Sequence, residues 1–361
     1  MAGNHVRPLM ALGALFVSLT VVGCGSSSSP AGSSAQASTA SASSGAIGAS
    51  VAGQPLTVYS GQHQQTVEAL VKDFEARSGV KVQLRSGDEA ELANQILQEG
   101  SASRADVFYA ENPPALTNLE ERGLLAPVGA TTLTAVSAND SSAKGDWVGV
   151  SARTAAFVFN TDKMSASSAP ASVRDLAGPA WKGKLGVAPG ETDFAPIITR
   201  MIKSEGQDAT KRWLEGLKAN AKVYNSNEDL VAAVNRGEVQ GGIIDHYYWY
   251  RLRDEVGAGK VHTALHYFTP GDPGALVDVS GAAVLSASKH QAAAQAFLAY
   301  LTSTSAQTII ATSQSYEYPL ITGVQNTKVS QPLAQVGTVA SPAELGDGKQ
   351  ALQLLQDAGL L

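Results

Sequence analysis

One imidazole, one carboxylate and two adjacent phenols stand at His63, Glu111, Tyr247 and Tyr248, each just past a run of strand character. His63 follows the run ending at Ser60, Glu111 the run ending at Tyr109, and the tyrosines the run ending at Ile244. Ligands of open parallel sheets bind outside the carboxyl ends of the strands. The expected topology therefore brings the four groups to one cleft, His63 and Glu111 from one lobe and the phenols from the other. Phenolate and carboxylate are hard oxygen donors suited to a small, highly charged cation, and a site without thiols argues against copper(I) and structural zinc. A free tyrosine has a pKa of about 10, so both phenols resist ionising unless a strong positive charge stabilises the anion. Trivalent iron supplies that charge, whereas calcium or magnesium is better held by several carboxylates, carbonyls and waters.

Each feature has a plainer reading. A lone loop histidine is usually a solvated surface residue, and Glu111 before Pro113 also suits the positive end of the next helix. The run Tyr247-Tyr248-Trp249-Tyr250 is equally an aromatic packing cluster. Neighbouring side chains point oppositely in a strand and about 100° apart in a helix, so two adjacent phenols on one ion call for an irregular turn at the strand end. A hydrolase using His63 and a carboxylate is the rival from another class. No Ser or Cys stands in a recognisable activated setting, and no phosphate-binding glycine loop or zinc-protease signature is present, so no catalytic residue is assigned.

The elements that must position these groups alternate strand and helix. Leu56 to Tyr59 reads as a strand, and Val67, Leu70, Val71 and Phe74 recur at helical spacing until Ser78-Gly79. Val80 to Leu84 is a second strand, Leu92, Ile96 and Leu97 mark a helix closed by Gly100, and Ala105 to Tyr109 is a third strand ahead of a helix starting near Pro113. Further on come a strand at Lys184 to Ala188, a helix at Asp208 to Ala219, a capped helix start at Ser226 and a strand at Gln240 to Ile244. Strands at Ala275 to Val279 and Gly281 to Leu285 precede a helical run from Lys289 to Thr302. Such alternation implies a parallel sheet covered on both faces by helices, in two α/β lobes between which the chain crosses more than once.

The ends carry separate information. A basic start ending at Arg7, an apolar run from Leu9 to Val22 and then Gly23-Cys24 fit a secretory signal peptide over 1–23, the run being short for a membrane span. Val21-Val22-Gly23-Cys24 resembles a lipobox, and Cys24 is the one cysteine of the chain, so it is expected to be the lipidated mature N-terminus. Residues 24–53 are rich in Ser, Ala and Gly and read as a flexible tether. Roughly 300 residues remain for the folded part. The formal net charge of -6, with no basic stripe, excludes nucleic acid as a natural partner.

The segments LTVYSGQH at 56–63, ADVFYAEN at 105–112, WKGKLG at 181–186, DHYYWY at 245–250 and DPGALVDVSGAAVL at 272–285 resemble, in the same order, the ferric-ion-binding proteins of bacterial iron ABC importers. The resemblance spans Leu56 to Leu361. It implies Fe3+ as the transported ligand, held by His63, Glu111, Tyr247 and Tyr248, and the two-lobe, type II-like periplasmic-binding fold, each lobe a mixed sheet flanked by helices. Hinge strands are expected near Ser151 to Phe159 and Ala275 to Ser280. One lobe would take 54–155 plus about 278–328 and the other 156–277 plus about 329–361. The implied partners are an ABC permease and its ATPase subunit, with the protein a monomer outside the cytoplasm, anchored through Cys24. Family members that hold a synergistic phosphate or similar anion on the iron often have a Ser-Gly-Ala turn where this chain has Glu191-Thr192-Asp193, and Asn residues where it has Asp245-His246. Asn227 matches an anion-contacting Asn, and Arg153 an Arg near the cleft. Carboxylates added there disfavour an anion by like-charge repulsion. A binding protein of the same fold for a polyamine, sugar or oxyanion is the alternative, one that needs neither the paired tyrosines nor His63 and Glu111.

Overall fold

The computed structural model describes residues 51–361; the expected signal peptide over 1–23, the expected lipidation at Cys24 and the expected tether up to residue 50 lie outside the described residues. Val51 is buried in the core, and the Gly53 amide donates to Gly79 O at 3.0 Å. The folded part therefore begins before the expected end of the tether at Gly53.

Twelve strands are described: β1 (Pro55–Ser60), β2 (Lys81–Ser86), β3 (Val107–Ala110), β4 (Leu125–Ala126), β5 (Val148–Asn160), β6 (Leu185–Val187), β7 (Ala221–Val223), β8 (Gly241–Asp245), β9 (Thr263–His266), β10 (Leu276–Leu285), β11 (Tyr318–Pro319) and β12 (Thr338–Val339). Their main order is β2-β1-β3-β10-β5-β8-β6-β7. The parallel arrangement expected from the alternation holds within each outer triplet. It fails at the centre, where β10 is antiparallel to β3 and β5, and β5 to β8. The reason is connectivity. β5 carries the chain from the first half to the second, and β10 brings it back in the opposite direction.

The two strands expected at 275–279 and 281–285 are one, with a register shift between Ser280 and Gly281. β5 pairs with β10 through residues 148–154 and with β8 and β9 through 155–160, so a single strand belongs to both halves.

Alternate side chains of each strand enter opposite layers, as the period of two requires. Val58 packs with the helix Gln64–Ser78 and with Phe297 and Leu298, while Tyr59 packs with Leu92, Ile96 and Leu116. In the second half Phe157 and Phe159 face Ile197, Trp213, Leu217 and Leu355, and Val158 faces Leu230, Val234 and Tyr250. Both halves are thus buried on two faces, which explains their nearly uninterrupted apolar strands.

The helix Glu89–Glu99 starts hard against Gly61, directly after β1. A β-carbon at position 61 would lie 2.8 Å from Glu89 Cα, and backbone cannot swing aside as a side chain can. Gly61→Ala is therefore expected to cost about 1–3 kcal/mol. Gly259→Ala, with nothing within 4 Å of the added carbon, should leave the urea midpoint unchanged. Equal midpoints for both variants would contradict this packing.

Candidate metal centre

The path of β5 decides where the site forms. β5 runs in the same direction as β3 and opposite to β8. The carboxyl ends of β3, at Ala110, and of β8, at Asp245, therefore approach the middle of β5 from opposite sides. Asp245 stands opposite Ala155, and the carbonyl of Glu111, one residue past β3, accepts from the Arg153 guanidinium. His63 is the N-cap of the helix Gln64–Ser78. Tyr247 and Tyr248 lie in the first turn of the helix His246–Val256, whose N-cap is Asp245. The irregular turn expected for two neighbouring phenols is absent. Their rings reach past the divergence of their β-carbons and tilt together, 4.3 Å between centroids.

All four expected ligands come together. Tyr247 Oη donates to Glu111 Oε1 at 3.1 Å, and His63 Nε2 lies 3.7 Å from the same oxygen. The His63 ring meets Tyr247 edge to face, 4.8 Å between centroids. Tyr247 is 1% and Tyr248 7% exposed. His63 Nε2 is buried without a hydrogen-bond partner. A buried polar atom left unpaired is rare enough in a native fold to point to an external ligand. Among the described residues no three His, Cys, Asp or Glu side chains form a metal cage, so a cation here depends on the phenols.

Electrostatics set the protonation of the metal-free cleft. Burial, reinforced by the Glu111 charge, holds the Tyr247 phenol well above its ordinary pKa; burial and then Asp193 do the same for Tyr248. His63 is pushed well down, first by burial and then by Arg251 and Arg153, and stands as a neutral imidazole.

Beneath the four lies a buried polar frame. Arg153, fully buried, donates from Nε to Asp245 Oδ2 at 3.2 Å and from Nη2 to Asp278 Oδ2 at 3.5 Å, and also to Asn112 Oδ1. Glu89 accepts from the Glu111 and Asn112 amides, both at 2.9 Å, and from Asn112 Nδ2 at 2.5 Å. Asn112 Nδ2 also donates across the cleft to Thr192 Oγ1, 3.2 Å. His246 accepts at Nδ1 from the Thr154 amide of β5, 3.3 Å, and its Nε2 lies 3.0 Å from Tyr316 O. Burial lowers its pKa to about 4, so it is neutral and Nε2 carries the proton.

The expected anion contacts are differently employed. The Arg153 guanidinium is turned to Asp245, Asp278, Asn112 and the Glu111 carbonyl rather than to an open anion position. Asn227 Nδ2 donates to both oxygens of Asp193, at 3.1 and 3.0 Å. Burial and then Asp245, Glu111 and Glu191 push the Asp193 carboxyl well up, while Glu191, half-buried, is raised by burial and Glu228. Sequence reading missed Glu89, Asn112, Asp278 and Arg251. Asp88 marks a helix start at Glu89, yet nothing local shows that this glutamate turns back to hold Glu111.

Two mixed α/β halves joined by crossing strands, with donors from both meeting in the cleft, define a two-lobe solute-binding protein. Residues 69–338 match the family model described as bacterial extracellular solute-binding protein. The chain belongs to that family, in its ferric-ion-binding group. It is 38% identical to the Fe(3+)-binding periplasmic protein of Serratia marcescens over 87% of this chain and 93% of that one. It is also 38% identical to the major ferric iron-binding protein of Neisseria meningitidis serogroup B, over 84% and 93%. Among solved structures, iron-bound HitA from Pseudomonas aeruginosa is 41% identical with a TM-score of 0.81, covering 85% of this chain and 99% of its own. The Trichodesmium protein IdiA (FutA) in complex with iron and citrate is 27% identical with a TM-score of 0.73, over 84% and 99%.

Burial also leaves a signature in pH. Glu89 is raised to about 7 by burial and the Glu111 charge, and Glu317 to about 7 by burial. A carboxyl whose folded pKa exceeds its unfolded value keeps protons that the unfolded chain has lost, so stability falls as pH rises through the folded pKa. The buried histidines act oppositely, an effect that fades as pH passes the ordinary histidine pKa of about 6.5, while Asp245, raised to about 7 by burial, adds to the carboxyl side. Between pH 6.5 and 8 the metal-free protein should lose about 1–2 kcal/mol, read as a lower urea midpoint. A midpoint that rises over this interval would contradict the assignment.

Proposed function

We propose that this chain is the substrate-binding component of an iron(III) ABC importer, capturing ferric ion between its lobes and delivering it to a membrane permease and its ATPase subunit. The observation that carries the reading is the convergence of Tyr247 Oη and the unpartnered His63 Nε2, from opposite lobes, on one Glu111 oxygen. The ferric ion takes the place of the proton that Tyr247 now gives to Glu111. His63 contributes a neutral nitrogen, Glu111 a carboxylate, and Tyr247 and Tyr248 phenolates formed as each releases its proton. Three negative charges then match the trivalent cation. Asp193, whose carboxyl is coupled electrostatically to both phenols, completes the coordination directly or through a water, taking the part an added anion plays in relatives. Glu191 is its more exposed neighbour. Because the donors come from both lobes, the ion favours the closed state and drives hinge closure about β5 and β10. The lobes take 54–155 with about 278–328, and 156–277 with about 329–361. The protein works as a monomer outside the cytoplasm, tethered by a lipid on Cys24.

Replacing a ligand phenol by Phe keeps the ring and its packing. Tyr247→Phe and Tyr248→Phe should each stay folded, lose most of the visible tyrosinate-to-iron band and lose more affinity than the roughly 10–100-fold typical of outer partners. Tyr250→Phe, whose hydroxyl meets Ser330, is the control that changes neither. Wild-type colour and affinity in both ligand variants would make the tyrosines packing residues. Mass spectrometry of membrane-extracted protein should find Cys24 as a diacylated N-terminus, and an unmodified thiol would overturn the anchor.

A further inference from the structure

Glu317 is fully buried and belongs to no ligand set described above. It stands just before β11, which pairs with β5 at Ala152 and Ser151. Its Oε1 accepts from Gln62 Nε2 at 3.1 Å and its Oε2 from Ser151 Oγ at 3.1 Å. Ser151 Oγ lies 2.6 Å from Ser280 Oγ, and the two serines face each other on β5 and β10 beside the register shift of β10. One carboxyl therefore grips the two strands that cross between the halves. Gln62 carries the contact onward, because its own Oε1 accepts from the His63 amide at 2.7 Å.

The preceding residue reaches the other half. His246 Nε2, in the first turn that also bears Tyr247 and Tyr248, donates to Tyr316 O at 3.0 Å. Tyr316 is the one non-glycine residue with positive φ, 58°, among the described residues. Such a backbone is uncommon outside glycine and persists where its surroundings dictate it. Here the Tyr316 ring stacks on Tyr250, 5.1 Å between centroids, its hydroxyl donates to Asp254, and Lys328 Nζ lies 4.2 Å from the ring centroid.

No hydrogen bond to protein holds the His63 ring among the described residues: Nε2 is unpartnered and stands 3.7 Å from Glu111. A metal-binding histidine is ordinarily oriented by a partner on its other ring nitrogen, so here the main chain must do that work. We infer that Glu317 is a positioning residue of the iron site, holding His63 through Gln62 against the crossing of β5 and β10. The inference rests on the ferric reading. Burial disfavours a carboxyl, and an apolar side chain would pack there at less cost, so its hydrogen bonds are what it contributes. With Tyr316 on the tyrosine helix and Glu317 on the His63 loop, two consecutive residues fix a donor from each half. A site of this kind requires its donors within about 0.5 Å of the productive geometry.

The test is a double-mutant cycle on the full-length protein, with ferric affinity read by competition against EDTA. Gln62→Met and Glu317→Met keep each side chain's length and remove its polar end. Each should weaken ferric binding roughly 10–100-fold in the wild-type background. In the His63→Ala background each should change it by no more than about twofold, since the ligand through which they act is gone. Gln62→Met leaves the contacts of Glu317 to Ser151 in place, and it carries the cycle alone if Glu317→Met does not fold. Pulsed EPR of the ferric-loaded Gln62→Met protein should show a weakened imidazole nitrogen coupling with the visible tyrosinate band retained. Equal losses in both backgrounds, wild-type affinity in the variants, or an undiminished nitrogen coupling would overturn the positioning role and leave the ferric reading standing. Wild-type protein that binds no ferric ion would overturn both.

Discussion

The site depends on one buried cation. Arg153 sits in the middle of β5, where the strand passes from one half of the sheet to the other, and it is fully enclosed. Removing a guanidinium from water costs several kcal/mol unless acceptors surround it. Those acceptors are Asp278 on β10, Asn112 and the Glu111 carbonyl after β3, and Asp245 at the end of β8. Satisfying Arg153 therefore draws the loop bearing Glu111 and the helix start bearing Tyr247 and Tyr248 to the same point. The residue serves position rather than ligation.

Around that point Glu111 is the one charged donor, and the other three are poised but uncharged. Burial keeps the phenols protonated, and the neutral His63 leaves a nitrogen without a partner. A weakly charged cation gains little in such a cleft, because ionising each buried phenol must be compensated by the metal itself. A trivalent ion would compensate it, so on the proposed reading the site selects by charge as much as by shape. His246 links the same helix start to β5 and to Tyr316, joining the tyrosines mechanically to the strand that crosses between lobes.

Much of this was legible in the sequence. The strand ends at Ser60, Tyr109 and Ile244 located His63, Glu111 and the tyrosines, because local periodicity reports strand ends and α/β sheets place ligands there. What escaped was non-local. The antiparallel centre follows from how β5 and β10 cross between halves, and the single long β10 reads locally as two because Ser280-Gly281 interrupts its pattern. Glu89 and Asp278 look like an ordinary helix start and an ordinary strand acid until the fold sets them beside Asn112 and Arg153. The resemblance assigns Arg153 and Asn227 to an anion; in the fold Arg153 meets Asp245, Asp278, Asn112 and the Glu111 carbonyl, and Asn227 meets Asp193. The departure at Glu191-Thr192-Asp193 was visible, but its consequence required seeing Asn227 engaged by Asp193.

The central claim is that phenolate oxygens from the His246–Val256 helix bind the metal. Resonance Raman spectroscopy of the ferric-loaded full chain, excited within its visible band, tests it most directly. The account requires tyrosinate ring modes enhanced together with the iron–oxygen stretch, and both lost when the iron is removed. Stoichiometric iron bound without any enhanced tyrosinate mode would contradict it.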